Sequence, residues 1–344
     1  MTTHLLRAAL AAAAFSFAMI AGNALASPGE PTVPEPTNGN APPGTKDDFD
    51  VTYNVCRGTD PRCYHPWTQD RQNKVLLYTR TAGPRHANLG PALGPGLNPP
   101  LAATNVVQNA IIKWMGEQGV AVDYTEDVGA FASAVGVTSR YKAVIFISTS
   151  RDALWKHGTA VDPVQATNTT TGAHLDAGRT ALRQYLRAGG GFVGIHNAFG
   201  TEYNWPYYEG LLGNANFYDH GPFQEGDVET VAKHDSSTDG LPARWHFKDE
   251  WYNLVPYPTN VKFLLTVDEA SLPNGAAATH PGHGKFHPVA WCQYYDGGRA
   301  WLTTLGHDTN AFTDGSGSPG QAQFKSLIVN GILSAMGNLP FCGS

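Results

Sequence analysis

Basic residues are the minority charge in this chain, 23 Lys and Arg against 29 Asp and Glu. Phosphate binding rests on a clustered basic surface, so nucleic acid is excluded as a partner. Cysteine is scarce, with four in 344 residues and no C-x-x-C pair, so the spacing of a structural zinc site is missing. Heptads, solenoid repeats and a lipidation cysteine are missing too. Beyond the first 26 residues no apolar run approaches the roughly 20 residues that a spanning helix needs.

The N-terminus has what the rest lacks. M1-T-T-H-L-L-R7 carries one positive charge, a short apolar run follows, and A24-L-A26 ends it. This is the pattern of a secretory signal peptide over 1–26, cleaved after Ala26, and it places the mature chain outside the cytoplasm, periplasmic or extracellular, with no membrane span. Cleavage removes only Arg7 among the charges and leaves 22 basic against 29 acidic residues, a net charge of −7. Residues 27–50 are rich in proline and poor in large apolar side chains, which predicts a disordered leader. No later linker breaks the chain, so 51–344 is expected to form one domain.

An even cysteine count in an exported chain favours disulfides. Of the three connectivities, Cys56–Cys63 with Cys292–Cys342 is preferred: the first closes a small loop, the second ties the chain's end to a late strand.

Apolar runs at K74-V-L-L-Y-T79, V120-A-V-D-Y124, K142-A-V-I-F-I-S148 and F192-V-G-I-H196 read as buried strands, with helices over Leu101–Gln118 and Leu175–Arg187 between them. Such an order predicts an α/β fold, a parallel sheet with helices on both faces. Strands at 227–232, 261–267, 288–295 and 299–305, a hairpin at Y295-D-G-G-R299 and a closing helix over 321–336 extend it. Ligands in such sheets sit at the carboxyl ends of the strands. Arg85, His86 and His196 fall just past predicted strand ends and are expected to share one cleft.

The stretch G189-G-G-F-V-G-I-H-N-A-F-G200 stands out. Gly194 and Ala198 flank His196 in the manner of the strand–turn–helix elbow that presents a Ser or Cys nucleophile. Here an imidazole takes that place. The remaining polar motifs are F217-Y-D-H220, K248-D-E-W-Y252, H287-P-V-A-W291 and L305-G-H-D308. Aromatic faces beside carboxylates and imidazoles suit sugar binding.

Taken in order, G-G-G-F-V-G-I-H, N-F-Y-D-H, H-D-S-S-T-D-G-L-P, D-E-W-Y, P-V-A-W and G-R-A-W-L-T-T-L-G-H make residues 74–337 resemble the trehalose-utilisation (ThuA-like) family. The resemblance implies a flavodoxin-like sheet, like that of class I glutamine amidotransferases, and a link to disaccharide catabolism through keto-sugars. It points to His86, His196, His220, Asp249, Glu250, His287 and His307. Two features depart from the family: H234-D235 stands where H-P is usual, and 158–173 looks like an insertion at the rim of the cleft.

Glutaminase activity is not expected, because no cysteine stands at the elbow. A neutral imidazole can instead take a proton from the carbon beside a sugar ketone, so that a glycosidic oxygen leaves by elimination. His196, Glu250 and His307 are the catalytic candidates, in a hydrolase or lyase of glycosides or 3-keto sugars. Arg85, His86, His220, Asp249, Trp251, Tyr252 and His287 are the substrate-binding candidates. The alternative is a non-catalytic carbohydrate-binding module that keeps the cleft without its nucleophile. No cofactor is assigned; metal binding is a third reading, for which His287, His220 and His307 are better placed than His280 or His283 of the Gly/Pro-rich loop.

Overall fold

The computed structural model describes residues 49–343 apart from 68, 69, 137 and 156–176. The expected signal peptide, the leader as far as residue 48 and the insertion 158–173 lie outside the described residues. The described chain starts with two short paired strands, β1 (Phe49–Asp50) and β2 (Val55–Gly58).

Five strands run parallel: β3 (Gln72–Tyr78), β4 (Ala121–Thr125), β5 (Tyr141–Ile147), β6 (Gly191–Ile195) and, far along the chain, β13 (Gly298–Thr303). Their spatial order is β4-β3-β5-β6-β13, the 2-1-3-4-5 order of flavodoxin-like sheets. The α/β fold expected from the apolar runs is the one observed. Val75, Leu77, Ile145 and Ile147 face α1 (Val106–Glu117) and α5 (Gln321–Ala335). Leu76, Tyr78, Val144 and Phe146 face α2 (Val128–Ala134), α3 (Ala177–Arg187) and α4 (Pro206–Leu211). With both faces covered, a strand must be apolar at every position, which is why these segments read as runs and not as alternations.

The sheet continues beyond β13 with antiparallel strands β12 (His287–Tyr295), β11 (Lys262–Asp268), β8 (Gln224–Thr230) and β9 (Arg244–Asp249). A separate ribbon pairs β7 (Phe217–His220) with β10 (Tyr252–Leu254). The hairpin between β12 and β13 turns on Asp296 and Gly297, at φ 45° and 92°. Asp-Gly suits a two-residue turn that needs positive φ at both positions.

Helix α1 starts five residues later than its apolar periodicity suggests. The Asn105 amide accepts from the Ala102 N–H and donates to the carbonyls of Leu89 and Pro91, so its chain is held in a loop. Helix α2 has seven residues, too few for periodicity to show; Asp127 caps it by accepting from Gly129 and Ala130 N–H.

All four cysteines are paired as expected, Cys56 with Cys63 and Cys292 with Cys342. The bridges span 7 and 50 residues, so chain entropy assigns about 2 kcal/mol to the first and about 4 kcal/mol to the second. Replacing Cys292 and Cys342 with alanine is expected to lower the unfolding free energy about twice as much as replacing Cys56 and Cys63, read by urea denaturation. Equal losses would show that native contacts, and not loop closure, set the contribution of the bridges.

Candidate functional site

The loops that leave the carboxyl ends of β3, β6 and β13 meet at one point. His86 comes from the first, His196 from the second and His307 from the third. Glu250 arrives from the antiparallel side, one residue past β9. One donor atom from each of these four residues lies within 4.8 Å of all the others. Sequence spacing hides the cluster, since its members are 54 to 221 residues apart; the topology makes it.

The elbow is real. His196 has φ 53°, the left-handed region that non-glycine residues adopt only at a cost. A Cβ on Gly194 would stand 2.9 Å from Leu302 Cδ2 and 3.2 Å from Phe192 Cε1, so a larger residue would have to push those side chains aside in the core. His196 is fully buried. Its Nδ1 lies 3.0 Å from the Thr304 carbonyl; a carbonyl only accepts, so Nδ1 carries the proton and Nε2 turns a lone pair to the cluster. That nitrogen is 3.1 Å from His86 Nε2, 2.9 Å from the Tyr252 hydroxyl and 3.9 Å from Glu250 Oε2.

The other members are fixed by backbone. Buried Asp249 accepts from the N–H of Gly306, His307 and Glu250 and so sets the chain on either side of the centre. Asn88, two residues after His86, donates to the carbonyls of Gly306 and His307 and joins the His86 loop to the His307 turn. Gly306 makes that turn at φ 123°. His220, on β7, holds Gly221 O with Nδ1 and points Nε2 at Glu250 Oε1, 3.5 Å away.

Charge divides within the cluster. Burial holds the His196 imidazole well below its ordinary value, and neighbouring His86 adds to this. Burial, then His307, pushes His86 down to about 4. Burial lowers His307, but Glu250, 3.0 Å away, together with Asp249 and Asp308, brings it above its ordinary value. Burial raises the Glu250 carboxyl, but His307 and the other imidazoles bring it below its ordinary range. Burial lifts Asp249 to about 7 against its three N–H donors. At neutral pH the centre therefore holds two neutral imidazoles, His86 and His196, beside a His307–Glu250 contact that favours charge on both partners.

Two adjoining cavities open on the cluster and share Pro84 and His86. One, of about 220 Å³, is walled by Tyr203, Phe217, Tyr252, His220 and Glu250, with Ser150, Arg151 and Asn197 opposite. The other, of about 310 Å³, runs past His307 and Phe223. A larger space of about 620 Å³ beside Tyr294 and Cys342 lies at the amino ends of the parallel strands, away from every imidazole of the cluster.

Of the residues singled out from sequence, the structure brings together His86, His196, His220, Glu250, Tyr252 and His307, with Asp249 beneath them. Three others differ: Arg85 lines the second cavity with its donors engaged, while Trp251 and His287 line neither cavity. Arg85 is spent on Glu126 and on the carbonyls of Leu89, Gly90 and Pro91, so it organises its loop. Trp251 is core and donates to Gln224 O. His287 is buried between Glu269 and the Tyr252 carbonyl, behind the site. Asn88, Thr304, Arg151 and Asn197 are site residues that carried no signal in sequence, because their part is played through backbone contacts or through loops that only the fold brings near. Replacing Asp249 with alanine would leave three N–H groups without their acceptor and is expected to cost about 3 kcal/mol, measured by chemical denaturation. A loss under about 1 kcal/mol would show that the Gly306–His307 turn holds itself.

A family model described as trehalose utilisation (ThuA) matches residues 74–333. Among solved structures, a ThuA-like protein from Bacteroides uniformis ATCC 8492 is 20% identical, covering 78% of this chain and 94% of its own, with a TM-score of 0.51. A ThuA-like protein from Parabacteroides merdae ATCC 43184 is 18% identical over 77% and 90% of the two chains, also with a TM-score of 0.51. No curated protein matches. The solved structures speak for the fold alone, and the flavodoxin-like strand order agrees with them. The family model spans most of the chain, and on that match the protein belongs to the trehalose utilisation (ThuA) family.

Proposed function

We propose that this is an exported enzyme that cleaves a glycoside bearing a ketone at C3, using the cleft at the carboxyl ends of the parallel strands. The observation that carries the reading is the union of a fixed imidazole–carboxylate cluster with a small cavity walled by Tyr203, Phe217 and Tyr252. Aromatic walls suit sugar rings, and the polar side chains of His86, His220, Asn197 and Glu250 line the same cavity. The family's link to disaccharide utilisation supports the substrate class. Two disulfides suit an oxidising compartment, and among the described residues no helix is long and apolar enough to cross a membrane.

His220 is the base. Its Nδ1 proton is committed to Gly221 O, its Nε2 carries a lone pair 3.5 Å from Glu250 Oε1, and its side chain is one-third exposed at the cavity wall. It removes the proton from C2, and the C–H electron pair becomes an enolate whose charge sits on the C3 oxygen. As the ketone reforms, a C1=C2 double bond forms, the C1–O bond breaks, and the leaving oxygen takes the proton from His220. Water then adds across C1=C2, oxygen to C1 and hydrogen to C2. His196 is buried with both nitrogens engaged; its part is to hold the Tyr252 hydroxyl and the His86 ring at the cavity wall. All four cysteines are in disulfides, so acyl transfer through a thiol has no nucleophile.

Incubation with 3-keto disaccharides and their unoxidised parents is expected to release monosaccharide from the keto forms alone, and His220→Ala is expected to slow release by at least about 100-fold. Binding without release across a panel of keto-glycosides would overturn the enzyme reading in favour of a carbohydrate-binding module. Full turnover by His220→Ala would overturn the assignment of the base.

A further inference from the structure

The proton inventory of the cluster does not close. His196 Nε2 has one lone pair, because its Nδ1 proton goes to Thr304 O, yet both the Tyr252 hydroxyl and His86 Nε2 lie within hydrogen-bond distance of it. If His86 carries its proton on Nε2, two donors compete for that lone pair, and buried His86 Nδ1 is left as an acceptor with no donor. If the proton is on Nδ1, two lone pairs face each other at 3.1 Å and the buried N–H has no acceptor. His307 Nδ1 sits 3.0 Å from Glu250 Oε2 yet off the direction of a hydrogen bond, and it too has no partner. Buried polar groups in native proteins are normally satisfied. Here several converge without satisfying one another.

A shared cation takes up the lone pairs that converge at His196 Nε2, His86 Nε2 and His307 Nδ1. We propose that His86, His196, His307 and Glu250 bind one divalent transition-metal ion. Imidazole and carboxylate donors held about 2.1 Å from a common ion stand about 3–4 Å apart; the close pairs here are at 3.0, 3.1 and 3.9 Å, and no pair of the four exceeds 4.8 Å. Three imidazoles and one carboxylate are the donor set of zinc and its first-row neighbours, not of calcium or magnesium. The surroundings also match: a metal-bound histidine donates its second nitrogen to a carbonyl or carboxylate, as His196 does to Thr304 O, and Asp249 orients two of the ligands through their N–H groups.

A second group of histidines provides the contrast. In the 280–287 loop, His283 Nε2 accepts from Leu254 N–H, His280 Nδ1 accepts from Gly282 N–H, and His287 uses both nitrogens on Glu269 and Tyr252 O. Those rings are spent on holding backbone. Of the residues that sequence put forward as metal ligands, only His307 is in the four-donor set; His220 stands beside it, 3.5 Å from Glu250, and keeps the part of base proposed above. An ion at this point borders both cavities and fits a vicinal keto–hydroxyl pair as its substrate ligand. That catalytic meaning rests on the function proposed above; the binding itself does not.

The test is to strip the purified full chain with a chelator, titrate it with Co²⁺ while reading the visible ligand-field band, and then displace Co²⁺ with Zn²⁺. One equivalent is expected to bind. His307→Ala and Glu250→Gln are expected to weaken it by more than about 100-fold, beyond the 10–100-fold of an outer-shell change, while His283→Ala binds as the wild type does. Anomalous diffraction from Co²⁺-loaded wild-type crystals reads the same question without a variant, and the ion is expected within bonding distance of His86 and His307. Absence of a bound equivalent, an ion located elsewhere, or binding unchanged in the His307→Ala/Glu250→Gln double variant would overturn the proposal. Metal binding without release from keto-disaccharides sinks the reaction and keeps the metal, whereas full turnover by metal-free protein keeps the reaction and overturns the ion's part in it.

Discussion

One hydrogen bond governs the centre of this molecule, from His196 Nδ1 to the Thr304 carbonyl. Strands β6 and β13 run parallel in register, Ile195 beside Thr303, so the residues that follow them are neighbours by construction. The left-handed turn at His196 lets its ring reach across to that neighbour. Such a conformation costs about 1–3 kcal/mol and persists only where the surroundings over-determine it. They do so here, since every residue from Gly191 to Gly200 is buried. The bond selects the tautomer, and the tautomer decides that a lone pair faces the cleft.

The two halves of the sheet contribute different things. The parallel block supplies positions: three histidines arrive on loops whose roots are fixed by adjacent strands. The antiparallel extension supplies charge and reach, through Glu250 and through the ribbon that carries His220 and Tyr252. Asp249 couples the halves, because one buried carboxylate holds Gly306 and His307 of the parallel side and Glu250 of the other. Asn88 closes the ring by tying the His86 loop to the same turn. No one of these loops is rigid through its own sequence. Their mutual bonds make the centre a preorganised unit.

The parallel strands were legible because burial on both faces leaves unbroken apolar runs, as in Val75–Tyr78 and Ala143–Ile147, short and bounded by polar or Gly/Pro-rich segments. Strand β9 was not: R244-W-H-F-K-D249 alternates between exposed and buried positions, but its charged outer face disguised it. The elbow could be read from Gly194 and Ala198, since a larger residue at Gly194 would have to push core side chains aside. Trp251 and His287 looked like site residues for a general reason. An aromatic or imidazole beside a motif is equally apt for the core, and only the direction of the chain at Asp249–Glu250 decides that Glu250 faces the cleft while Trp251 turns inward to Gln224 O. The convergence of His86, His196, Glu250 and His307 lies beyond any reading of spacing, because it depends on strand order.

The replacement of a nucleophile by histidine changes what an elbow can do. A serine or cysteine there must project an atom that a substrate carbon can approach. His196 projects none: it has no exposed surface, and its outward nitrogen already lies against His86 and Tyr252. A carbon acid cannot reach such a base, but electron density on an oxygen can be met by the groups gathered over it. On the proposed reaction, proton transfer falls to an imidazole at the cavity wall, where His220 stands one-third exposed. The elbow aims one nitrogen at the carboxyl end of the sheet, and the ribbon laid over it brings Tyr252 against that nitrogen and His220 to the cavity wall.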